Sequence, residues 1–125
     1  GRADGNVLYR SNGDGTFTDV TEEAGVQGAT GRFELFRKSK ELTRSGMTFM
    51  GLWFDFDNDG DPDLLECNDE GASPLYRNND DGTFTDVTEA AGLYVYGSCM
   101  GVDAGDYDRD GFQDLYWTNF GANYL

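Results

Sequence analysis

The feature that most constrains the fold of this chain is an internal repeat. Residues 8–25 and residues 75–92 are identical at fifteen of eighteen positions. A second element, rich in aspartate, occurs at residues 55–65 and again at residues 106–116. The copies lie 67 residues apart for the first element and 51 apart for the second, so the chain contains a unit of about 50 residues with one enlarged copy. The fold is therefore expected to be a series of similar units.

Each copy of the first element has the sequence of a β-hairpin. Asn-Gly-Asp-Gly at residues 12–15 and Asp-Asp-Gly at residues 80–82 favour tight turns. Each turn lies between Leu-Tyr-Arg and Thr-Phe-Thr-Asp-Val-Thr, which are short β-prone runs. A single helical turn is expected after each hairpin, capped by Thr21 or Thr88 and ended by a glycine.

Apolar runs lead into and out of each aspartate-rich element, which indicates a second hairpin with the acidic loop at its bend. The runs are residues 49–54 and 64–65 around the first loop and residues 100–104 and 115–117 around the second. One unit then has four short antiparallel strands, which is the size and content of a propeller blade.

The phase of the repeat predicts an all-β chain of β-propeller type, with one whole four-stranded antiparallel blade and two complementary half-blades. Such a chain does not close by itself, because closed propellers have roughly 4–8 blades. Residues 1–25 are predicted to form the second half of a blade (strands 3 and 4), and residues 26–46 a basic insert. Residues 47–97 are predicted to form a complete blade, with the acidic loop at 55–63. Residues 98–125 are predicted to form the first half of the next blade, with the acidic loop at 106–114.

Each acidic loop has the donor pattern of a calcium site. Aspartates occupy positions 1, 3, 5 and 9, and a glycine at position 6 permits a sharp turn. Crowded carboxylates repel one another, and a divalent cation relieves that repulsion. An all-oxygen set suits Ca²⁺ better than Mg²⁺, zinc or copper. The predicted ligands of two Ca²⁺ ions, including the backbone carbonyl at position 7, are Asp55, Asp57, Asp59, Asp61 and Asp63 in the first loop and Asp106, Asp108, Asp110, Phe112 and Asp114 in the second.

The first loop also fits the EF-hand pattern, with Glu66 at position 12. Three features contradict that interpretation. The second loop has Trp117 at position 12, and Pro62 occupies a position where an EF-hand needs a backbone N–H. The flanking runs are aromatic and β-prone rather than helical. Glu66 is therefore expected to be an ordinary strand residue.

Composition excludes several classes of function. The chain has no histidine, which removes the commonest general base and zinc ligand. Its formal net charge of -15 contradicts nucleic-acid binding, which depends on Lys and Arg, and favours hard cations as partners. No apolar run is long enough to span a membrane.

The two cysteines, Cys67 and Cys99, allow two interpretations. They are either small buried residues or the partners of one disulfide, which fits an extracellular protein. Sequence spacing alone does not decide between the two.

The two paired motifs, Asp-x-Asp-x-Asp-Gly-x-x-Asp-Leu and Leu-Tyr-Arg-Asn-x-x-Asp-Gly-Thr-Phe-Thr-Asp-Val-Thr, resemble the FG-GAP (VCBS) repeat family. These repeats are the calcium-binding blades of integrin-α-like propellers, and the variant most similar to this chain is the cartilage-acidic-protein-like (ASPIC/UnbV) type. The resemblance covers nearly the whole chain except about residues 26–46. It implies calcium in the loop between the first two strands of a blade. The ligands that it implies are the aspartates at positions 1, 3, 5 and 9 of each loop, namely Asp55, Asp57, Asp59, Asp63, Asp106, Asp108, Asp110 and Asp114. It also implies an extracellular or cell-surface setting in adhesion and recognition.

The half-blades predict self-association, because open sheet edges pair with strands of other chains. Residues 98–125 of one copy are expected to complete a blade with residues 1–21 of the next, giving a ring or a filament. The insert is either a solvated surface loop or a contact surface for an acidic partner. Its basic residues are Arg32, Arg37, Lys38, Lys40 and Arg44.

The favoured function is a non-enzymatic, calcium-stabilised module for recognition, adhesion or assembly, with a protein or glycan as possible ligand. One alternative is a purely structural subunit of a head-to-tail homopolymer. Another is a fragment of a larger propeller enzyme or receptor. A hydrolase using paired carboxylates is disfavoured, because metal ligation accounts for these aspartates and no nucleophile motif occurs in the chain.

Overall fold

The computed structural model describes residues 5–27, 47–69, 71–93 and 96–121, and the basic residues of the insert lie outside them. Short strands dominate this part of the chain. Its elements are β1 (Tyr9–Ser11), β2 (Phe17–Asp19), α1 (Thr21–Ala24), β3 (Met47–Phe54), β4 (Asp63–Asp69), β5 (Gly71–Ala72), β6 (Leu75–Asn78), β7 (Phe84–Asp86), β8 (Tyr96–Gly97), β9 (Cys99–Gly105) and β10 (Asp114–Asn119).

A four-stranded antiparallel sheet lies at the centre, in the order β3-β4-β6-β7. Leu65 of β4 lies opposite Leu52 of β3 on one side and Leu75 of β6 on the other. Neighbouring strands are joined in chain order, because the acidic loop connects β3 to β4 and a tight turn connects β6 to β7. This is the four-stranded blade that the repeat predicts.

Two antiparallel hairpins flank the central sheet, β1–β2 on the N-terminal side and β9–β10 on the C-terminal side. A further short pairing joins β5 to β8, which the sequence does not predict. Within the described residues the strands do not close into a ring. The prediction of an all-β, propeller-type and unclosed chain is therefore confirmed.

The two copies of the Leu-Tyr-Arg hairpin have the same hydrogen bonds. The hydroxyl of Thr21 accepts the N–H of Leu8 at 2.8 Å, and the hydroxyl of Thr88 accepts the N–H of Leu75 at 2.9 Å. Each threonine in turn donates its hydroxyl to the aspartate two residues before it, at 2.7 Å in both copies. The repeated sequence therefore produces a repeated structure down to single hydrogen bonds.

The same contacts correct the predicted role of the threonines as helix caps. Val20 is the N-cap of α1 and makes no side-chain capping bond, because a valine side chain has no polar atom. The Thr21 hydroxyl accepts the N–H of Leu8 in the hairpin instead. The helix ends at Gly25, which has a left-handed φ of 77°. After the second hairpin, residues 88–92 form a turn and not a helix.

A disulfide between Cys67 and Cys99 joins the central sheet to the C-terminal hairpin, with the two Cα atoms 5.4 Å apart. This decides between the two interpretations of the cysteines. The bond lies in a buried apolar cluster, where Leu65 and Leu75 of the sheet meet Trp117 of β10. The chain-entropy model gives a cross-link of this loop length about 3–4 kcal/mol of stability.

A second apolar cluster joins the N-terminal hairpin to the opposite face of the central sheet. Val20, Ala24 and Val26 pack there against Leu64 and Tyr76. Side chains alternate along a strand, so Leu64 of β4 faces this second cluster whereas the next residue, Leu65, faces the cluster around the disulfide. The two flanking hairpins thus pack against opposite faces of the central sheet. Val26, at the start of the predicted insert, is only 2% exposed and belongs to the core.

Candidate metal centres

The first acidic loop joins the ends of two paired strands. Phe54, the last residue of β3, lies opposite Asp63, the first residue of β4. This pairing brings the beginning and the end of the loop together. The carboxylates of Asp55, Asp57 and Asp63 consequently each have an oxygen within 4.8 Å of the others.

The backbone of this loop is held in a tight curl by its own first aspartate. The two carboxylate oxygens of Asp55 accept the N–H groups of Asp59 at 3.1 Å and Gly60 at 3.0 Å. Gly60 has a φ of 97°, which is accessible to glycine without strain. Asn58 has a φ of 59°, and asparagine tolerates this left-handed region better than most residues.

The second loop repeats this geometry. Asp106 accepts the N–H groups of Asp110 at 3.0 Å and Gly111 at 2.9 Å, and Gly111 has a φ of 94°. Three carboxylates again have oxygens within 4.8 Å of one another. They belong to Asp106, Asp108 and Asp114.

In each loop the sequence predicts that the aspartates at positions 1, 3, 5 and 9 bind calcium, and the structure brings three of these four carboxylates together. The fourth, Asp59 or Asp110, lies outside the three-carboxylate cluster. Its carboxylate accepts the N–H of position 7 instead, Asp61 at 3.0 Å or Phe112 at 2.8 Å. The carbonyls of Asp61 and Phe112, and the side chains of Asp59 and Asp110, stay predicted ligands.

Asp63 is the ligand candidate with the most extensive protein support. Its side chain is fully buried. One carboxylate oxygen accepts the N–H of Phe56 at 3.0 Å, and the other accepts the N–H of Asn78 in β6 at 2.8 Å. Burial raises the pKa of Asp63, and these two N–H groups oppose the rise, while nearby Asp57 and Asp59 add to it. A cation beside this carboxylate would stabilise its charged form.

Repulsion between carboxylates also acts at Asp61. Its pKa is raised mainly by the negative charge of Asp80, with burial and the charges of Asp59 and Asp55 as smaller causes. The side chain of Asp61 is half-exposed, so water weakens these interactions. The first loop thus concentrates negative charge where a cation would relieve it.

The donor set fits a hard divalent cation. Both clusters contain carboxylate oxygens and no softer ligand, and Ca²⁺ takes such oxygens at about 2.3–2.6 Å. Strands and not helices flank both loops, which agrees with rejecting the EF-hand. Glu66 lies in β4, outside the clusters, as expected of a strand residue.

The two loops are in direct contact, which the sequence does not reveal. The side-chain amide of Asn58 donates a hydrogen bond to the carbonyl of Gly111 at 2.9 Å. Near this contact, a groove of about 400 Å³ is lined by residues of β3, the first loop and the β9–β10 hairpin, among them Trp53 and Asp103. The N–H of Asn78, which donates to the carboxylate of Asp63, is likewise not evident from the sequence, because it belongs to another hairpin.

Stacked antiparallel blades with an aspartate-rich loop between the first two strands define a protein of the propeller-blade class. The chain belongs to the FG-GAP-like repeat family, whose profile matches residues 55–117. The resemblance drawn from the motifs is thereby confirmed. The match begins at the first loop and ends in β10, so it includes both acidic loops.

A second comparison gives a relative of the same type. The chain is 34% identical over 64 residues to cartilage acidic protein 1 of Xenopus tropicalis. The aligned stretch is 50% of this chain and 10% of that protein, so the chain spans a small part of its relative's length. No helix in the described ranges has the length and apolar character needed to cross a lipid bilayer.

Proposed function

We propose that this chain is a calcium-binding, non-enzymatic repeat module of an extracellular or cell-surface protein that acts in recognition, adhesion or assembly. The observation that supports this most directly is the pair of three-carboxylate clusters with the same loop geometry. Two clusters built alike at equivalent positions of a repeat favour a shared ligand over two unrelated polar turns.

The calcium ions are proposed to be structural. In each loop the candidate ligands come from both ends of a strand connection, so one ion cross-links the end of one strand to the start of the next. Without a cation the crowded carboxylates repel one another and oppose this arrangement. Ca²⁺ would therefore stabilise the bend and, through it, the register of β3 against β4.

An extracellular setting is consistent with both the cross-link and the chemistry of the loops. A buried disulfide persists in oxidising compartments and is rare in the cytosol. Extracellular calcium-binding modules bind the ion with dissociation constants of roughly 10⁻⁴–10⁻³ M. Such sites are filled outside cells, where calcium is abundant.

Calcium titration with isothermal calorimetry and thermal unfolding tests this function. We expect two bound Ca²⁺ ions per chain and a higher melting temperature in calcium than in chelator. The double variant Asp55→Asn/Asp57→Asn should bind one ion. Asp14→Asn/Asp81→Asn removes the same charge from the two hairpin turns outside the clusters and should still bind two. An unchanged melting temperature in chelator, or equal effects of both double variants, would refute structural calcium.

A further inference from the structure

Glu66 of β4 lies between the central sheet and the N-terminal segment, which is defined as residues 5–27 and contains β1, β2 and α1. Leu64, two positions earlier in β4, packs in the second apolar cluster against Val20 and Ala24 of this segment. Side chains two positions apart on a strand share a face, so Glu66 points toward the same interface. Its side chain is only 3% exposed. An ionisable group is thus enclosed where the segment meets the sheet.

The N-terminal segment is attached at this point through Asn6. The side-chain amide of Asn6 donates a hydrogen bond to the hydroxyl of Thr48 in β3 at 2.9 Å, and it also hydrogen-bonds the carboxylate of Glu66. Thr48 donates in turn to the buried side chain of Asn68 at 2.8 Å. The segment is therefore held on the sheet by a polar network as well as by the apolar cluster.

The ionised form of Glu66 has little support in this position. Its Oε1 atom has no hydrogen-bond partner within the ranges that the structure describes. Burial raises the pKa of Glu66 to about 7, and the hydrogen bond from Asn6 opposes that rise. A buried carboxylate with an oxygen that has no partner is costly, whereas a neutral carboxyl is tolerated far better.

The groups around Glu66 do not compensate its charge. Asp86 of β7 is negatively charged and adds to the rise in the pKa of Glu66. Tyr76 of β6 packs on the same face, and a tyrosine ionises only at about pH 10. Asp63 and Asp69 of β4 lie an odd number of positions away and face the other side of the sheet. The other ionisable side chains of β1, β2, α1 and β6 are exposed, and β3 has none: Tyr9, Arg10, Asp19, Glu22, Glu23 and Arg77.

We propose that protonation of Glu66 controls how tightly the N-terminal segment packs on the central sheet. When the carboxyl is protonated, the interface buries no charge and the segment stays closed over the second cluster. When the carboxylate is ionised, opening of the segment returns the charge to water, so open molecules become more frequent. Opening also exposes the apolar residues of the second cluster, so the module presents different surfaces in acidic and in neutral surroundings.

The direction of the effect follows from the linkage between ionisation and packing. Below about pH 4.5 the carboxyl is protonated in both the closed and the open form, so pH does not bias the segment. Between about pH 4.5 and about 7 the open form ionises first, so opening becomes steadily easier. Above about pH 7 both forms are ionised and the effect levels off.

Hydrogen exchange measured residue by residue with NMR, at a fixed calcium concentration, tests the proposal. The two copies of the repeated hairpin provide an internal reference. The N–H of Val20 donates to Leu8, and the N–H of Val87 donates to Leu75. Both valines lie between an aspartate and a threonine, so their intrinsic exchange rates are nearly equal at any pH. A two-stranded hairpin alone is only marginally stable in water, so the amides of an opened N-terminal segment exchange.

We expect Val20 to lose protection relative to Val87 by roughly tenfold or more between about pH 5 and about pH 8. Glu66→Gln has no ionisable group at this position and should give the same ratio of protection at both pH values. Glu23→Gln removes an exposed carboxylate of α1 in the same segment and should keep the pH dependence of the unmodified chain.

The unmodified chain alone decides the outcome if a variant does not fold. A ratio of protection between Val20 and Val87 that stays constant from about pH 5 to about pH 8 would overturn the proposal. An equal loss of protection at both valines would also overturn it, because Glu66 would then act on unfolding of the whole chain. If Glu66→Gln shows the pH dependence of the unmodified chain, another group is responsible and the proposal is wrong.

Discussion

Asn58 donates a hydrogen bond from its side-chain amide to the carbonyl of Gly111, across 53 residues of sequence. Gly111 also donates its N–H to Asp106, the first aspartate of the second loop. The first acidic loop therefore orients a residue of the second. This contact is a physical route by which the order of one loop affects the other.

The first prediction concerns this contact. Asn58→Gly retains access to the positive φ of 59° and removes the amide. We expect calcium affinity at the second loop to fall a few-fold, in line with the loss of one exposed hydrogen bond worth about 1 kcal/mol. The measurement is calorimetry in an Asp57→Asn background, which removes a candidate ligand of the first site and leaves the hydrogen bonds of Asp55 that hold the loop in place.

The matched control for this prediction is Arg109→Gly. Arg109 is the equivalent residue of the second loop and has a φ of 67°. It makes the same backbone change without removing the contact between loops, and its loss of a positive charge favours cation binding at the second loop, so it should not lower the affinity there. If both glycine variants alter the second site equally, backbone freedom is the cause and the contact does not couple the loops.

The second prediction compares the last aspartates of the two loops. Asp63→Asn places an amide where two N–H groups point at a buried carboxylate, whereas Asp114 is half-buried and receives one N–H from the part of the chain that the structure describes. We expect Asp63→Asn to cost about 2–3 kcal/mol even in chelator, because hydrogen bonds to a charged group are lost. Asp114→Asn should cost less.

Urea unfolding of both variants in calcium and in chelator checks this prediction. If the two variants lose equal stability in chelator, the hydrogen bond from Asn78 of β6 to Asp63 does not contribute to the free energy of unfolding. A loss confined to calcium would assign the whole effect to metal binding.

The third prediction is a pH dependence that arises from Glu66. Its side chain is 3% exposed, and Oε1 has no hydrogen-bond partner among the described residues. Burial raises the pKa of Glu66 from 4.5 to about 7, with a hydrogen bond from Asn6 acting in the opposite direction. Below pH 4.5 the carboxyl is protonated in both the folded and the unfolded state, so its ionisation does not lower the free energy of unfolding.

As the pH rises from about 4.5 to about 7, the unfolded chain ionises first, so Glu66 lowers the stability of the folded state. At higher pH the resulting loss of unfolding free energy reaches roughly 3 kcal/mol. Glu66→Gln should remove this decline, and Glu23→Gln, at an exposed position, should keep it. The measurement is the free energy of unfolding at fixed calcium from pH 4.5 to 8. Parallel profiles for the two variants would show that Glu66 does not titrate in this range.

The fourth prediction concerns the Cys67–Cys99 disulfide. Replacing both cysteines by serine should lower stability by about 3–4 kcal/mol, because the unfolded chain gains loop entropy. The loss should also loosen the C-terminal hairpin relative to the central sheet. Hydrogen exchange measured by mass spectrometry should therefore show faster exchange in β9 and β10 than in β6 and β7. Uniformly faster exchange would mean that the disulfide stabilises the whole chain without preference for this contact.

Much of the candidate site follows from the sequence, because its determinants are local. Gly60 and Gly111 permit the curl of each loop, and the spacing of the aspartates places three carboxylates on its inner side. The sequence does not show that the carboxylate of Asp59 accepts a hydrogen bond from the N–H of Asp61. That depends on the detailed path of the loop backbone and not on the spacing of the aspartates.

The repeated hairpins, their turns and the acidic loops can be read from the sequence, since they depend on residues a few positions apart. Contacts between distant residues cannot: the bond between Cys67 and Cys99, the burial of the Glu66 side chain and the contact of Asn58 with Gly111 are visible only in the folded chain. These three relationships arise where one sheet is stacked on another. Repetition specifies that the units are alike, but the side chains between them decide how closely and in what orientation they pack.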